Sequence, residues 1–120
     1  MTIQEQIVSD VALIRVSGRV TLTDGTAVFD DTLQRLIGQG YNKLIIDLAD
    51  VPYIDSTALG MILRAHATVR RRGGALKLLH LHGHVRELFE LTRLLTVIEA
   101  FEAEAEALAS MEAAPNKSPV

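Results

Sequence analysis

The stretch of sequence that decides the fold is LIIDLADVPYIDSTALGMIL, residues 44–63. Its first five residues are leucine and isoleucine apart from one aspartate, and they make a run of strand length. Such a run predicts a strand buried on both faces, because a strand with one solvent-exposed face alternates polar with apolar residues. Pro52 then breaks the pattern, since proline cannot donate a ladder hydrogen bond.

The second half of the stretch predicts a helix from about residue 56 to residue 72. Asp55, Ser56 and Thr57 stand at its start, where residues of this kind accept hydrogen bonds from free backbone amides. The Gly73-Gly74 pair predicts its end, because glycine readily takes the left-handed exit conformation. The unit is therefore strand, loop and helix, with an acid and two hydroxyls at the helix N-terminus.

The flanking sequence alternates between helical and strand patterns. Residues 11–18 read as a strand, and residues 3–8 are a weaker candidate for an edge strand beside it. The helical spacing of apolar residues predicts a first helix capped by Thr23 or Asp24 and ended by Gly38 or Gly40. Its apolar residues are Phe29, Leu33, Leu36 and Ile37.

The C-terminal third continues the alternation. It predicts a strand at residues 75–81, a helix at 84–94, a short strand at 96–101, and an acidic last helix. Glu102 and Glu104 are expected in the first turn of that last helix, where negative charge complements the helix dipole.

Two strands followed by helix–strand alternation predict an α/β fold with a mixed β-sheet and helices covering mainly one face. We expect one domain over residues 1–112 and a flexible C-terminal tail over residues 113–120, where two prolines occur. A chain of 120 residues is long enough for one domain and too short for two ordinary ones.

Composition argues against several classes of function. The chain has no cysteine, which excludes disulfides, thiol catalysis and cysteine metal sites. A formal net charge of −3 and an aromatic content of 4% give no case for nucleic-acid binding. The polar N-terminus does not resemble a signal peptide, and no apolar run reaches the roughly 20 residues of a membrane span. We therefore expect a cytoplasmic protein without nucleic acid or membrane span.

Two interpretations of the Asp55–Thr57 cluster stay open from the residues alone. The cluster can simply cap the helix, which stabilises by about 1 kcal/mol. Alternatively, a hydroxyl at a helix N-terminus can carry a phosphate, whose charge the helix dipole accommodates. A hydrolytic serine is disfavoured, because Ser56 lacks the flanking glycines of the G-x-S-x-G elbow. No glycine-rich nucleotide motif is present either.

Three further features have alternative explanations. His80 and His82 would share a face in a strand and could chelate a metal, but a polar strand end leading into a helix cap explains them and His84 better. We expect no metal and no cofactor.

Arg70, Arg71 and Arg72 complement the dipole at a helix C-terminus. Gly60, inside a helix, costs about 1 kcal/mol relative to alanine, which suggests close approach by a packed strand or by a partner.

The motif Asp47-Leu48, then Asp55-Ser56-Thr57-Ala58-Leu59-Gly60, resembles the signature of STAS domains, the sulfate-transporter and anti-sigma-factor-antagonist family. Residues 71–81 and 85–108 resemble the elements that follow in that family. The resemblance implies a protein-binding module without catalytic activity, whose partners are an anti-sigma factor serine kinase and a phosphatase. It implies phosphorylation of Ser56, with Thr57 as the second choice.

The resemblance also implies that the helix start is the partner-binding surface. Its residues would be Asp55, Ser56, Thr57, Gly60 and Met61.

This sequence departs from the family pattern at two places. The usual glycine of the motif is Ala58, and the usual Gly-Glu-Leu/Ile-Asp segment is Gly18-Arg19-Val20-Thr21. Two alternatives to a phosphorylated antagonist therefore remain: a non-phosphorylated accessory subunit of a lipid-transport ATPase complex, or a small-ligand or nucleotide sensor. The kinase, the sigma factor, the stimulus and the oligomeric state are left open.

Overall fold

A computed structural model describes residues 1–112 of the chain, and the predicted tail at 113–120 lies outside the described residues. The described part contains five strands, four α-helices and one 3-10 turn. In chain order they are β1 (Thr2–Val8), β2 (Val11–Ser17), α1 (Thr26–Gly38), β3 (Lys43–Asp50), α2 (Ser56–Arg71), β4 (Ala75–Leu79), α3 (Gly83–Leu91), the 3-10 turn (Leu94–Thr96), β5 (Ala100–Phe101) and α4 (Glu104–Glu112).

The sheet has the order β1-β2-β3-β4-β5 and is mixed, as the sequence predicts. β1 pairs antiparallel with β2, whereas β2, β3, β4 and β5 run parallel. Ile46 of β3 is level with Ile14 on one side and with Leu78 on the other. β3 is therefore the central strand, and its carboxyl end lies beside that of β2.

The prediction that β3 is buried on both faces is confirmed. Leu44, Ile45 and Ile46 are 0% exposed and Leu48 is 1% exposed. Ile46 belongs to the larger core, whereas its neighbour Ile45 belongs to a second, smaller core on the opposite face, because successive side chains of a strand alternate.

Helices α1, α2 and α3 supply apolar side chains to the larger core, and α4 supplies them to the smaller one. The larger core contains, among others, Phe29, Leu33, Ile62, Val69, Val85 and Phe89. From α4, Ala107 and Met111 pack in the smaller core. Three helices thus cover one face and one helix covers part of the other, which confirms helices mainly on one face.

Two predicted helix starts are wrong. Neither Thr23 nor Asp24 caps α1, because Gly25 occupies the N-cap position with φ of 91° and no side chain caps the helix. The last helix begins at Glu104, so Glu102 lies before it. The Glu102 carboxylate instead lies 3.4 Å from an Arg86 guanidinium nitrogen.

The predicted helix exit at the double glycine is confirmed. Gly73 has φ of +80°, the left-handed region that favours glycine. A Cβ at Gly74 would lie 1.8 Å from the Asn42 carbonyl oxygen, so a side chain there would collide with the backbone leading into β3. Within residues 1–112, no helix is both long enough and apolar enough to cross a membrane.

We expect Ile46→Ala to lower the free energy of unfolding by about 2 to 5 kcal/mol, because it leaves a cavity in the centre of the larger core. Chemical denaturation measures this change. Val28→Ala is the matched control, since Val28 is 58% exposed and should change stability by less than about 0.5 kcal/mol. Equal effects of the two substitutions would contradict the central position of β3.

Candidate functional site

Two loops meet at the carboxyl ends of β2 and β3. The Val20 amide donates to the Tyr53 carbonyl oxygen at 3.1 Å, and the Asp55 amide donates to the Val20 carbonyl oxygen at 3.3 Å. Val20 and Ile54 form a parallel bridge between the loops, and both side chains are buried. The loop that follows β2 is therefore fastened along the loop that leads into α2.

Asp55 is the N-cap residue of α2, and its carboxylate has a second role. Its Oδ1 atom accepts a hydrogen bond from the Ala58 amide at 3.0 Å, which caps the helix. Its Oδ2 atom accepts one from the Leu22 amide at 2.7 Å, in the loop after β2. One side chain thus begins the helix and holds the neighbouring loop against it.

The hydrogen bonds to Asp55 stabilise its charged form. Partial burial alone would raise the pKa of the carboxyl group, but the backbone amides of Ala58, Leu22 and Thr57 outweigh burial and lower the pKa below its usual value. Asp55 is therefore ionised at neutral pH and places a fixed negative charge at the N-terminus of α2.

Ser56 is the first residue of α2, and it is exposed. Within the described part of the chain, its hydroxyl takes part in none of the side-chain hydrogen bonds, because Asp55 already provides the cap. Thr57 is half-buried. Of the two hydroxyls at the helix start, Ser56 is thus the more accessible.

Gly60 lies one turn beyond Ser56 and does not pack against a strand. Apart from the backbone of its own helix, the nearest atom to a Cβ at this position would be an Arg64 guanidinium nitrogen at 3.8 Å. The packed-strand explanation of Gly60 is therefore wrong. Met61 is half-buried and packs against the larger core, so only part of its side chain is available at the surface.

An aromatic and cationic stack beside the helix start was not predicted. The Arg19 guanidinium carbon lies 5.1 Å from the centroid of the Tyr53 ring. The Tyr53 ring in turn stacks on the His84 ring, with centroids 5.2 Å apart and planes inclined by 23°. No local pattern joins residues so far apart in the sequence. The sequence feature that could have predicted this contact is the order of the strands, because loops that follow parallel strands meet at one edge of the sheet.

His80 and His82, which follow β4, contact different partners. His80 lies outside the strand with φ of 62°, so it does not share a strand face with His82. Its Nδ1 atom lies 2.9 Å from Asp47 Oδ1, and His82 Nε2 lies 2.7 Å from the Ala49 carbonyl oxygen. Among residues 1–112, no group of three or more His, Asp or Glu side chains is arranged to hold a metal ion.

Two clefts lie away from the start of α2. One, of about 220 Å³, is lined by residues of β1, β2 and β3 that include Arg15 and Asp47. The other, of about 300 Å³, is lined by His66, Arg70 and residues around β4. Neither is lined by the Asp55–Thr57 cluster, where a small-ligand sensor would need its pocket.

Comparison with known proteins identifies the family. The family model described as STAS domain matches residues 2–107. The chain belongs to the STAS family. The anti-sigma-B factor antagonist of Bacillus subtilis (strain 168) is 34% identical over 86 residues, which cover 72% of this chain and 77% of that relative.

Solved structures agree with the STAS fold. An anti-sigma-factor antagonist (STAS) domain protein from Planctomyces limnophilus has a TM-score of 0.81 at 18% identity, covering 92% of this chain and 97% of that chain. The phosphorylated form of the Bacillus cell fate determinant SpoIIAA has a TM-score of 0.72 at 20% identity, covering 90% and 97%. The STAS resemblance and the mixed α/β fold that the sequence predicts are thus confirmed.

We expect Asp55→Ala to lower the free energy of unfolding by about 1 to 2 kcal/mol at neutral pH, because two backbone amides lose their acceptor. Since the folded pKa of Asp55 lies below the usual 3.8, this stabilisation is complete above the unfolded pKa and is lost as pH falls through the folded pKa. Denaturation at several pH values measures the difference from wild type.

The control for this experiment is Asp31→Ala, which removes an exposed acid from α1. It should change stability by less than about 0.5 kcal/mol. A difference between wild type and Asp55→Ala that stays undiminished in acid would show that the carboxylate charge is not what holds the loop.

We also expect zinc or nickel to leave the melting temperature unchanged, because His80 and His82 do not share a strand face and no group of three or more ligating side chains within residues 1–112 is arranged to hold a metal ion. A ligand that binds only the native state raises the melting temperature in proportion to its affinity. A rise of several degrees that His80→Ala abolishes would contradict this expectation.

Proposed function

We propose that the chain is an anti-sigma factor antagonist in a cytoplasmic partner-switching pathway. In its unphosphorylated form it binds a serine kinase that otherwise holds a sigma factor. The kinase phosphorylates Ser56, which ends the association, and a phosphatase restores it. The chain acts as a binding module and not as an enzyme. The STAS membership and the antagonist relatives support this function.

The observation that supports the proposal most directly is that Asp55 caps α2 while the neighbouring Ser56 hydroxyl does not. The Asp55 carboxylate provides the helix cap, and the exposed Ser56 hydroxyl is left without a structural role. The hydroxyl oxygen of a residue that only capped the helix would accept a hydrogen bond from a backbone amide. An accessible hydroxyl at the first position of a helix is instead suited to a kinase.

Electrostatics explain how one phosphate would change binding without unfolding the domain. A phosphate on Ser56 would add about two negative charges at a helix N-terminus, where the dipole stabilises them by about 0.3 to 1 kcal/mol. The Asp55 charge nearby opposes this effect, so the fold should change little in stability. A partner packed over Ser56, however, would have to bury a doubly charged group, which costs several kcal/mol.

The surface around Ser56 has the composition of a contact surface. Gly60 leaves the exposed side of α2 open one turn further on. On the same side, Leu63 is 40% exposed, and Leu22 in the loop held by Asp55 is 69% exposed. An apolar surface around a neutral hydroxyl fits a protein partner, and a phosphate at its centre would disrupt it.

The test is to purify the anti-sigma factor serine kinases of the source organism and measure their affinity for the chain, with and without ATP. We expect one kinase to bind wild type and to release it with ATP as one phosphate appears on Ser56. Ser56→Ala should stay bound with ATP. Ser56→Glu should bind at least about 10-fold more weakly while melting almost normally.

The matched control is Ala67→Glu, which adds the same charge at an exposed position about three turns further along α2. It should change affinity by less than about twofold, since exposed charges at this distance are largely screened. If Ser56→Glu binds as tightly as wild type, and no phosphate is found on Ser56 or Thr57, the switch is wrong. The accessory-subunit alternative would then be favoured.

A further inference from the structure

The stack of Arg19, Tyr53 and His84 brings together two loops and the start of α3 at the carboxyl edge of the sheet. Arg19 follows β2, Tyr53 precedes α2, and His84 lies in the first turn of α3. Because Val20 is hydrogen-bonded to both Tyr53 and Asp55, the stack lies directly beside the start of α2. A partner that covers Ser56 would therefore meet the stack as well.

Arg19 is exposed and makes no ion pair within residues 1–112, unlike Arg15, Arg35, Arg64 and Arg86. The acidic side chains of the neighbouring elements do not form ion pairs with Arg19. The Asp55 carboxylate accepts hydrogen bonds from backbone amides, and the Glu87 Oε1 atom lies 3.6 Å from His84 Nδ1. Asp24, in the loop after β2, and Asp50, the last residue of β3, are exposed and form no ion pair with Arg19. A partner's anionic group could bind Arg19 without displacing an internal pair.

The stack also orients the cation. A guanidinium held over an aromatic ring loses less freedom on binding than one on a free side chain, and its planar face leaves the N–H groups directed outward at the edge. Two parallel N–H donors match the two oxygens of a carboxylate. This geometry suits an aspartate or glutamate side chain better than a neutral polar group.

We propose that the Arg19–Tyr53–His84 stack selects a partner that places an aspartate or glutamate carboxylate beside Ser56. The inference rests on the proposed function, because it assumes that the partner covers the start of α2. It adds the chemistry of the partner: an acidic group opposite Arg19, and discrimination against homologous kinases with a basic group there. Like charges at such a contact reject the wrong partner.

The experiment uses the full chain and each purified anti-sigma factor serine kinase of the source organism. For the kinase that binds wild type, Arg19→Glu should raise the Kd by about 10-fold to 100-fold, because a cation becomes a like charge. Arg19→Lys should raise it by about 3-fold to 10-fold, since lysine keeps the charge but not the planar fork. Tyr53→Leu, which removes the ring beneath Arg19, should raise the Kd by an amount between those of Arg19→Lys and Arg19→Glu.

Two measurements separate a specific contact from a general effect of charge. Arg71→Glu makes the same change at the exposed far end of α2 and should alter the Kd by less than about twofold. The Kd of wild type should rise with salt more steeply than that of Arg19→Gln. The melting temperature of each variant shows whether it is folded.

The outcomes distinguish this inference from the proposed function. If a kinase binds and Ser56→Glu weakens it, but Arg19→Glu binds as well as wild type, the inference is wrong and the proposed function stands. If no kinase binds wild type, the proposed function is wrong and the inference falls with it. If Arg19→Glu weakens binding and the change of one acidic residue of the kinase to lysine restores the affinity, the ion pair between Arg19 and that acidic residue is established.

Discussion

The Asp55 carboxylate accepts hydrogen bonds from two backbone amides that lie 36 residues apart, Leu22 and Ala58. One bond begins α2, and the other holds the loop after β2 against that beginning. The other features of the site follow from this arrangement. Val20 is paired between Tyr53 and Asp55, Arg19 is placed over the Tyr53 ring, and the Ser56 hydroxyl is left exposed.

A site built on this arrangement can change its charge without losing its fold. The apolar core beneath it is large and fully buried, and it supplies most of the stability. The exposed hydroxyl contributes nothing to that core. Modification of Ser56 would therefore act on what binds the surface and not on whether the domain folds. This separation of binding from folding is what the proposed switch requires.

The charge beside the helix start departs from the pattern that the STAS resemblance gives. Position 19 is an arginine where the pattern in the STAS resemblance has a glutamate, and the Arg19 guanidinium lies over the Tyr53 ring beside Ser56. An altered charge at a shared binding edge changes the preferred partner more readily than it changes the fold, because loops at the edge of a sheet carry recognition while the core carries stability.

The sequence by itself determined the strand–loop–helix unit, the mixed α/β fold and a helix cap within the Asp55–Thr57 cluster. These depend on local signals: an unbroken apolar run, a proline, a capping acid and helical spacing. The start of α1 was mispredicted because Gly25 takes a left-handed conformation after a tight turn, where a capping side chain was expected. Only the tertiary structure decided which groups meet at the site. The Leu22 amide reaches Asp55, and Arg19, Tyr53 and His84 stack, because parallel strands bring their loops to one edge of the sheet, and no spacing along the chain records that contact.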